Sequence, residues 1–335
     1  MPSVSFSDSQ FHSHFFLQQL WSDSSESLSE LTQQNVQRTT VKTDATHRLI
    51  IAAEGLNLAK VYQVQHALND GLSFVSFTDS AYSPHCQTQA IVAQVNVQNE
   101  QVNELLEQVS GQTRTELFLL PVCPSLNAPG LLVMDMDSTM IGCECIDEIA
   151  YLAGVGEQVS EVTELAMQGK LDFAQSLHQR VACLEGVPLP LLQGLLDKLP
   201  IMSGLSVLIN ELKKNGWKVV VASGGFTYFA NHLRDRFELD AAVSNVLETA
   251  DNKLTGKVVG QVVDASVKAA TVKELADKWN IDAAQTIAMG DGANDLLMMK
   301  EAAYGVAYHA KPVVRQQAKL AIRHSGLDTL LHIFG

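Results

Sequence analysis

The sequence lacks any run of about 18 consecutive apolar residues, the length a helix needs to cross a bilayer, so no transmembrane helix is expected. It has no Lys or Arg before Arg38, and the short apolar patch Phe15-Phe16-Leu17 is broken by Gln18 and Gln19; a secretory signal is not expected. Cysteine is scarce. Cys86, Cys123, Cys143, Cys145 and Cys183 form an odd, sparse set that fits a reducing cytoplasm rather than a disulfide framework. Positive charge is also short: 23 basic against 37 acidic residues give −14. That balance argues against nucleic acid or an anionic membrane as a general partner. A local pocket can still be positive and take a small anion. No internal repeat, no His-x-x-x-His pair and no Gly-Lys-Ser/Thr phosphate loop appears, which weakens an ATPase reading.

Apolar residues make up 46% and charged residues 18% of 335, an ordinary globular balance. The length suggests two domains at roughly 150 residues each. Residues 1–45 read as a Ser/Gln-rich head, with a helix around Phe15–Trp21 and the rest as loop. Residues 46–125 alternate strand and helix patterns. His47–Ala53, Ser73–Phe77 and Ala90–Val97 read as strands, Leu58–Asn69 and Val102–Val109 as helices. The order suits a small α+β sandwich. Pro121, Pro124 and Pro129, ending in Gly130, mark a linker.

Residues 130–335 have a different grammar. Leu131–Met134, Trp217–Ala222 and Thr286–Met289 are short apolar runs, each followed by a polar or Gly-rich turn and a helical segment. That predicts an α/β fold with a doubly wound parallel sheet. Ile146–Leu196 is nearly all helical, which predicts a helical cap at about 143–200. Leu247–Val259, centred on Asp251-Asn252-Lys253, reads as a hairpin.

Ligands of open α/β sheets sit beyond the C-terminal strand ends. Three such ends carry chemistry: Asp135-Met136-Asp137-Ser138-Thr139, Ser223-Gly224-Gly225, and Gly290-Asp291-Gly292-Ala293-Asn294-Asp295. One Asp-x-Asp alone most simply caps a turn. Three aligned strand tips point instead to crowded carboxylates that need a cation, and an oxygen-only donor set favours a hard ion such as Mg²⁺. A carboxylate beside Mg²⁺ can attack phosphorus. Glycines at the second tip let backbone N–H groups approach an anion. Lys268, at a helix start, could supply a cation, although a lone Lys there usually faces solvent. Cys143-Glu144-Cys145 lacks the further Cys or His of a zinc site and reads as packing.

In this order the motifs resemble those of the haloacid dehalogenase-like phosphatases. Glu144-Cys145-Ile146-Asp147-Glu148, and Gly169-Lys170-Leu171-Asp172-Phe173 running into Arg180, resemble the phosphoserine phosphatase branch. The match spans about residues 130–325. Similar enzymes carry an ACT-like domain at the N-terminus, which residues 46–125 match loosely.

The resemblance implies Mg²⁺-dependent hydrolysis of L-phosphoserine, the last step of serine biosynthesis, with Asp135 as nucleophile and Asp137 as acid and base. It places Mg²⁺ between the Asp135 carboxylate, the Asp137 carbonyl and Asp291. It gives the phosphoryl oxygens to Ser223, Gly224 and Lys268, with Asn294 and Asp295 positioning them and Thr139 and Gly225 in support. Glu144 would meet the substrate ammonium and Arg180 its carboxylate. Met167 and Phe173 would form an apolar lid. It leaves a homodimer open. Two other readings stand beside it: a phosphatase for another small phosphate ester, or an amino-acid-sensing regulatory protein.

Overall fold

The computed structural model describes residues 3–22, 27–39 and 44–334. Contacts divide the chain into two units, 1–125 with 320–335, and 126–319.

The first unit opens with β1 (Ser3–Ser5), α1 (Asp8–Phe11), α2 (His14–Ser22), β2 (Ser27–Ser29) and β3 (Asn35–Thr39). It continues with β4 (His47–Ala53), α3 (Leu58–Leu68), β5 (Leu72–Asp79), β6 (Gln89–Val97), α4 (Val102–Thr113) and β7 (Glu116–Leu120). The strands pair antiparallel in the order β1-β3-β2-β5-β6-β4-β7. The last six elements are the βαββαβ pattern, with β5-β6-β4-β7 forming a split βαβ sheet. Helix α3 starts where the Asn57 side chain accepts the Lys60 N–H. It buries Leu58, Val61, Val64 and Leu68, a single stripe at helical spacing. The head differs from its reading as mostly loop. Three short strands form there because Leu28, Leu31 and Val36 have a core to enter, together with Phe6 and Phe11. Residues 23–26 and 40–43 of the head lie outside the described residues.

The second unit begins with β8 (Leu131–Met134) and four consecutive cap helices. These are α5 (Cys145–Leu152), α6 (Gly156–Met167), α7 (Phe173–Ala182) and α8 (Leu189–Leu196). Then come α9 (Leu205–Lys214), β9 (Lys218–Phe226), α10 (Thr227–Phe237), β10 (Ala241–Ala250) and β11 (Lys253–Val259). After α11 (Ala265–Lys278) follow β12 (Thr286–Gly290), α12 (Leu296–Glu301), β13 (Tyr304–Tyr308) and α13 (Pro312–Arg315). The strand order is β11-β10-β9-β8-β12-β13. All these pairs are parallel except β10 with β11. The four residues of β8 are wholly buried, as a central parallel strand requires. Asp251 and Asn252 both take positive φ between β10 and β11, the geometry of a two-residue hairpin turn.

One boundary moves. Strand β9 runs through Ser223-Gly224-Gly225 to Phe226 instead of turning after Ala222. A bulge in β9, where Ser223-Gly224-Gly225 stand against Ser244 alone, lets Asn245 pair with Phe226, so the strand continues past the glycines.

After α13 the chain adds β14 (Leu320–Ile322) and a 3-10 helix over Leu327–Phe334, which group with the first unit. The buried Glu116 carboxylate accepts the N–H groups of Arg323, His324 and Ser325. His332 sits between Ser80 Oγ, 2.8 Å from Nδ1, and Thr88 Oγ1, 3.0 Å from Nε2.

Candidate active site

Strand β8 lies between β9 and β12: the chain runs outward from it through β9, β10 and β11, then crosses back to β12 on its other side. This is the switch point where α/β sheets open a crevice. The C-terminal ends of these three strands deliver Asp135, Ser223-Gly224 and Asp291 to one cavity of about 140 Å³. The Asp135 N–H donates to the Met289 carbonyl at 2.9 Å, which fixes the first tip against the third. Directly after Asp137 the chain turns sharply at Ser138, whose φ is +55°.

Lys268 is the cation at the centre. Asp264 caps α11, its carboxylate accepting the Ser266 and Val267 N–H groups, and Lys268 sits one turn in. Its Nζ reaches Asp135 Oδ1 at 2.7 Å and Asp295 Oδ1 at 2.8 Å. Burial alone would favour the neutral amine. The charges of Asp135 and Asp295 outweigh it, and the Lys268 pKa is raised above its usual value. The lysine is therefore a fixed positive charge, not a solvent-facing one.

The remaining acids are under-compensated. Asp137 is pushed well above the usual carboxylate range, first by burial, then by the charges of Asp135 and Glu144. Its Oδ1 accepts the Cys145 N–H at 3.3 Å. Asp291 is pushed up to about 7 by burial and by Asp135, Asp295 and Glu144. Asp295 rises to about 6 by burial and the Asp135 charge, although it bonds Lys268. Carboxylate oxygens of Asp135, Asp291 and Asp295 lie within 4.8 Å of one another. Three acids so close, with Asp291 and Asp295 raised and only oxygen donors on offer, fit a hard divalent cation. Asp295 is already committed to Lys268 and to the Gly292 N–H, 3.1 Å from its Oδ2. This leaves Asp135 and Asp291 as the freer ligands.

The cap supplies the opposite wall. Asp172 and Gln175 form a capping box that starts α7. Phe173, Leu177 and Arg180 are then spaced four and three apart, on one helix face, and all line the cavity. The Arg180 Nε is buried without a hydrogen-bond partner among the described residues. Burial lowers its pKa, opposed by the charges of Asp147, Glu144 and Asp137. Glu144 stands at the start of α5 but makes no cap bond with its side chain, which accepts the Ser138 hydroxyl at 2.8 Å.

Two glycines are needed for close approach. A Cβ on Gly225 would meet Met136 Cε at 2.7 Å and Asp137 Oδ2 at 3.0 Å, and one on Gly290 would overlap the Asp295 carboxylate.

The sequence-derived residues divide into three groups. Asp135, Asp137, Glu144, Phe173, Arg180, Ser223, Gly224, Gly225, Asp291 and Asn294 line the cavity. Lys268 and Asp295 are buried against Asp135 and the third strand tip. Thr139 and Met167 do not line the cavity. Thr139 is fully buried, with its Oγ1 unpartnered among the described residues, and Met167 is 78% exposed at the end of α6.

Sequence reading missed Leu177, Ile146 and Phe226 on the cavity wall and Asn245 beside it. Leu177 had a signal, since it lies one turn from both Phe173 and Arg180. Asn245 had none. Its Nδ2 donates to the Gly224 carbonyl at 2.7 Å and its Oδ1 accepts the Val263 N–H at 2.8 Å, contacts visible only in the fold.

Comparison with known proteins agrees with this geometry. Residues 130–303 match the model of the haloacid dehalogenase-like hydrolases. A phosphoserine phosphatase of Haemophilus influenzae is 55% identical over 216 residues, covering 64% of this chain and 69% of the relative. The crystal structure of a probable phosphoserine phosphatase from Vibrio cholerae, unliganded, is similar with a TM-score of 0.73 and 41% identity over 86% of each chain. A substrate-bound phosphoserine phosphatase complex is similar with a TM-score of 0.58 and 37% identity, over 62% of this chain and 99% of that one.

Proposed function

Because the chain belongs to the haloacid dehalogenase-like hydrolases, and within them with the phosphoserine phosphatases, we propose that it hydrolyses L-phosphoserine to L-serine and phosphate through an aspartyl phosphate on Asp135. The observation that carries this reading is the charge layout of one small cavity. Asp135 and Lys268 stand at its sheet side, and Glu144 and Arg180 stand at its cap side.

Asp135 attacks phosphorus in line with the seryl oxygen. Lys268 Nζ, the Ser223 hydroxyl and the Gly224 N–H take the phosphoryl oxygens, whose charge must be met in the transition state. A seryl alkoxide leaves poorly at neutral pH, so a proton donor is required. Asp137 suits that role because burial and neighbouring charge keep its proton on. Once serine has left, Asp137 takes a proton from the water that attacks the aspartyl phosphate. Met136, with no accessible surface, and the Cys145 N–H hold Asp137 in place. Asp135, Asp291 and the Asp137 carbonyl would hold Mg²⁺, which when bound screens the carboxylates and polarises a phosphoryl oxygen.

The amino-acid end is read by charge. The Glu144 carboxylate suits the ammonium, and the unpartnered Arg180 Nε suits the carboxylate. Phe173, whose Cζ would lie 2.8 Å from a Cβ on Gly224, covers the phosphate grip. We extend the proposal to an ACT-like role for residues 46–125, supported by their βαββαβ order, and to a cytoplasmic homodimer. The five free cysteines suit a reducing compartment.

Phosphate release from phosphoserine, phosphothreonine and sugar phosphates, with and without chelator, tests the reading. Chelator-sensitive turnover that favours phosphoserine is expected. Equal turnover of all three would leave a phosphatase of another substrate class. Activity in Asp135→Asn near that of the parent would remove the nucleophile.

A further inference from the structure

Cys143-Glu144-Cys145 separates two chambers of the second unit. Glu144 has extended backbone, φ −98° and ψ 108°, so the side chains on either side of it point opposite to its own. Glu144 accordingly lines the active-site cavity. Cys143 and Cys145 line a different cavity, of about 380 Å³, with Tyr151, Leu152, Lys198 and Phe229 on its walls. The two thiols face that one cavity two residues apart, close enough to interact. Cys143 is half-buried and Cys145 is 1% exposed, so a reagent entering this cavity meets Cys143 first. Elsewhere, Cys86 and Cys183 each donate to a backbone carbonyl instead.

We propose that Cys143 and Cys145 form a reversible two-electron oxidation site that takes a small hydroperoxide through the second cavity. The Cys143 sulfur attacks one peroxide oxygen and breaks the O–O bond, giving a sulfenic acid and, from hydrogen peroxide, one water. The Cys145 sulfur then displaces the hydroxyl, which leaves as a second water with the remaining thiol proton, and the S–S bond forms. Two thiols are oxidised and one peroxide is reduced. A thiol reductant reverses the step.

The consequence follows from what the new ring encloses. It contains the whole Glu144 backbone and the Cys145 N–H, the group that donates to Asp137 Oδ1. Closing it requires the two sulfurs to come to bonding distance, with a defined torsion between them. That shifts Glu144 relative to Ser138 Oγ and turns the Cys145 N–H away from Asp137. Oxidation in one cavity thereby misplaces an ammonium contact and the acid in the other. The effect on turnover rests on the phosphoserine phosphatase reading, whereas formation of the disulfide does not.

The test treats the purified full chain with hydrogen peroxide, then maps alkylated peptides by mass and measures phosphoserine turnover. The peptide carrying both cysteines should lose two hydrogens. kcat/KM should fall by between about 10-fold and 100-fold, the scale of a misplaced positioning group. Dithiothreitol should restore both. Cys143→Ser should keep its activity through the same treatment. The proposal is overturned if the pair stays reduced, if the disulfide forms without loss of turnover, or if Cys143→Ser is inactivated equally. Absent phosphoserine turnover in the untreated protein would instead sink the functional reading, while the peptide masses still decide whether the pair oxidises.

Discussion

Lys268 Nζ lies 2.7 Å from Asp135 Oδ1, inside a site where the lysine is 1% and the aspartate 4% exposed. The pair joins the first motif of the sheet to the helix before the third strand, and Asp295 completes it at 2.8 Å. A buried ion pair is weak evidence for stability, but removing one partner is costly. Lys268→Met should therefore fail twice. Turnover should fall by about 10²-fold or more, as expected for losing a preorganised charge at a phosphoryl group. Chemical denaturation should show a stability loss of about 3–5 kcal/mol, because two carboxylates are left buried without their cation. An active, equally stable variant would show that the lysine plays neither part.

Metal binding should depend on pH in a stated direction. Asp291 is raised to about 7 and Asp295 to about 6, against an ordinary value of 3.8. Between pH about 4 and 7 the metal-free folded chain thus holds more protons here than the unfolded one. Its stability from these groups is present at low pH and is lost as pH rises through the folded values. A divalent cation must displace those protons and relieves the repulsion they mask. The gain in Tm on adding Mg²⁺ should be larger at pH 8 than at pH 5.5. A pH-independent gain would place the ion away from these acids.

Gly290 has no positive φ, so replacing it tests space alone. A Cβ there overlaps the Asp295 carboxylate and must push it from Lys268. Gly290→Ala should cost about 1–3 kcal/mol by overpacking. Turnover should fall by about 10²-fold through displacement of the lysine. Unaltered kinetics would mean that Asp295 does not position Lys268.

Arg180→Ala should raise KM for phosphoserine by about 10- to 100-fold, the worth of a charged hydrogen bond. A phosphate ester without a carboxylate should be hydrolysed nearly as before. The same loss on both substrates would remove the carboxylate clamp and leave Arg180 as a structural residue of α7.

The parts of this site written in local pattern were legible in the sequence. Leu131–Met134 reads as a buried strand because all four side chains are apolar, and its end at Asp135 follows directly. The turn Asp251-Asn252 shows itself through residues that tolerate positive φ. Lys268 is different. Its spacing at a helix start is that of an ordinary surface lysine, and only family resemblance placed it near phosphate. Burial between two acids is a tertiary fact. The extension of β9 through Gly224 depends on a bulge in which Ser223-Gly224-Gly225 stand against Ser244 alone; the same Gly-Gly pair reads equally well as a turn, and only pairing with β10 decides between them. The head strands form for a similar reason. Leu28 and Val36 are isolated apolar residues in a polar stretch, and their burial depends on a sheet contributed from elsewhere in the first unit. Met167 shows the reverse. The family resemblance implied a lid there, and at the end of α6 its side chain stands in solvent.

The central claim is a covalent bond from Asp135 to phosphorus. Phosphoserine labelled in its phosphoryl group, mixed with enzyme and Mg²⁺, quenched in acid within a turnover and reduced with borohydride, reads that bond directly. The account predicts homoserine in place of the aspartate at position 135, found by peptide sequencing and absent without substrate. Homoserine at another position, or none while phosphate is still released, would contradict it.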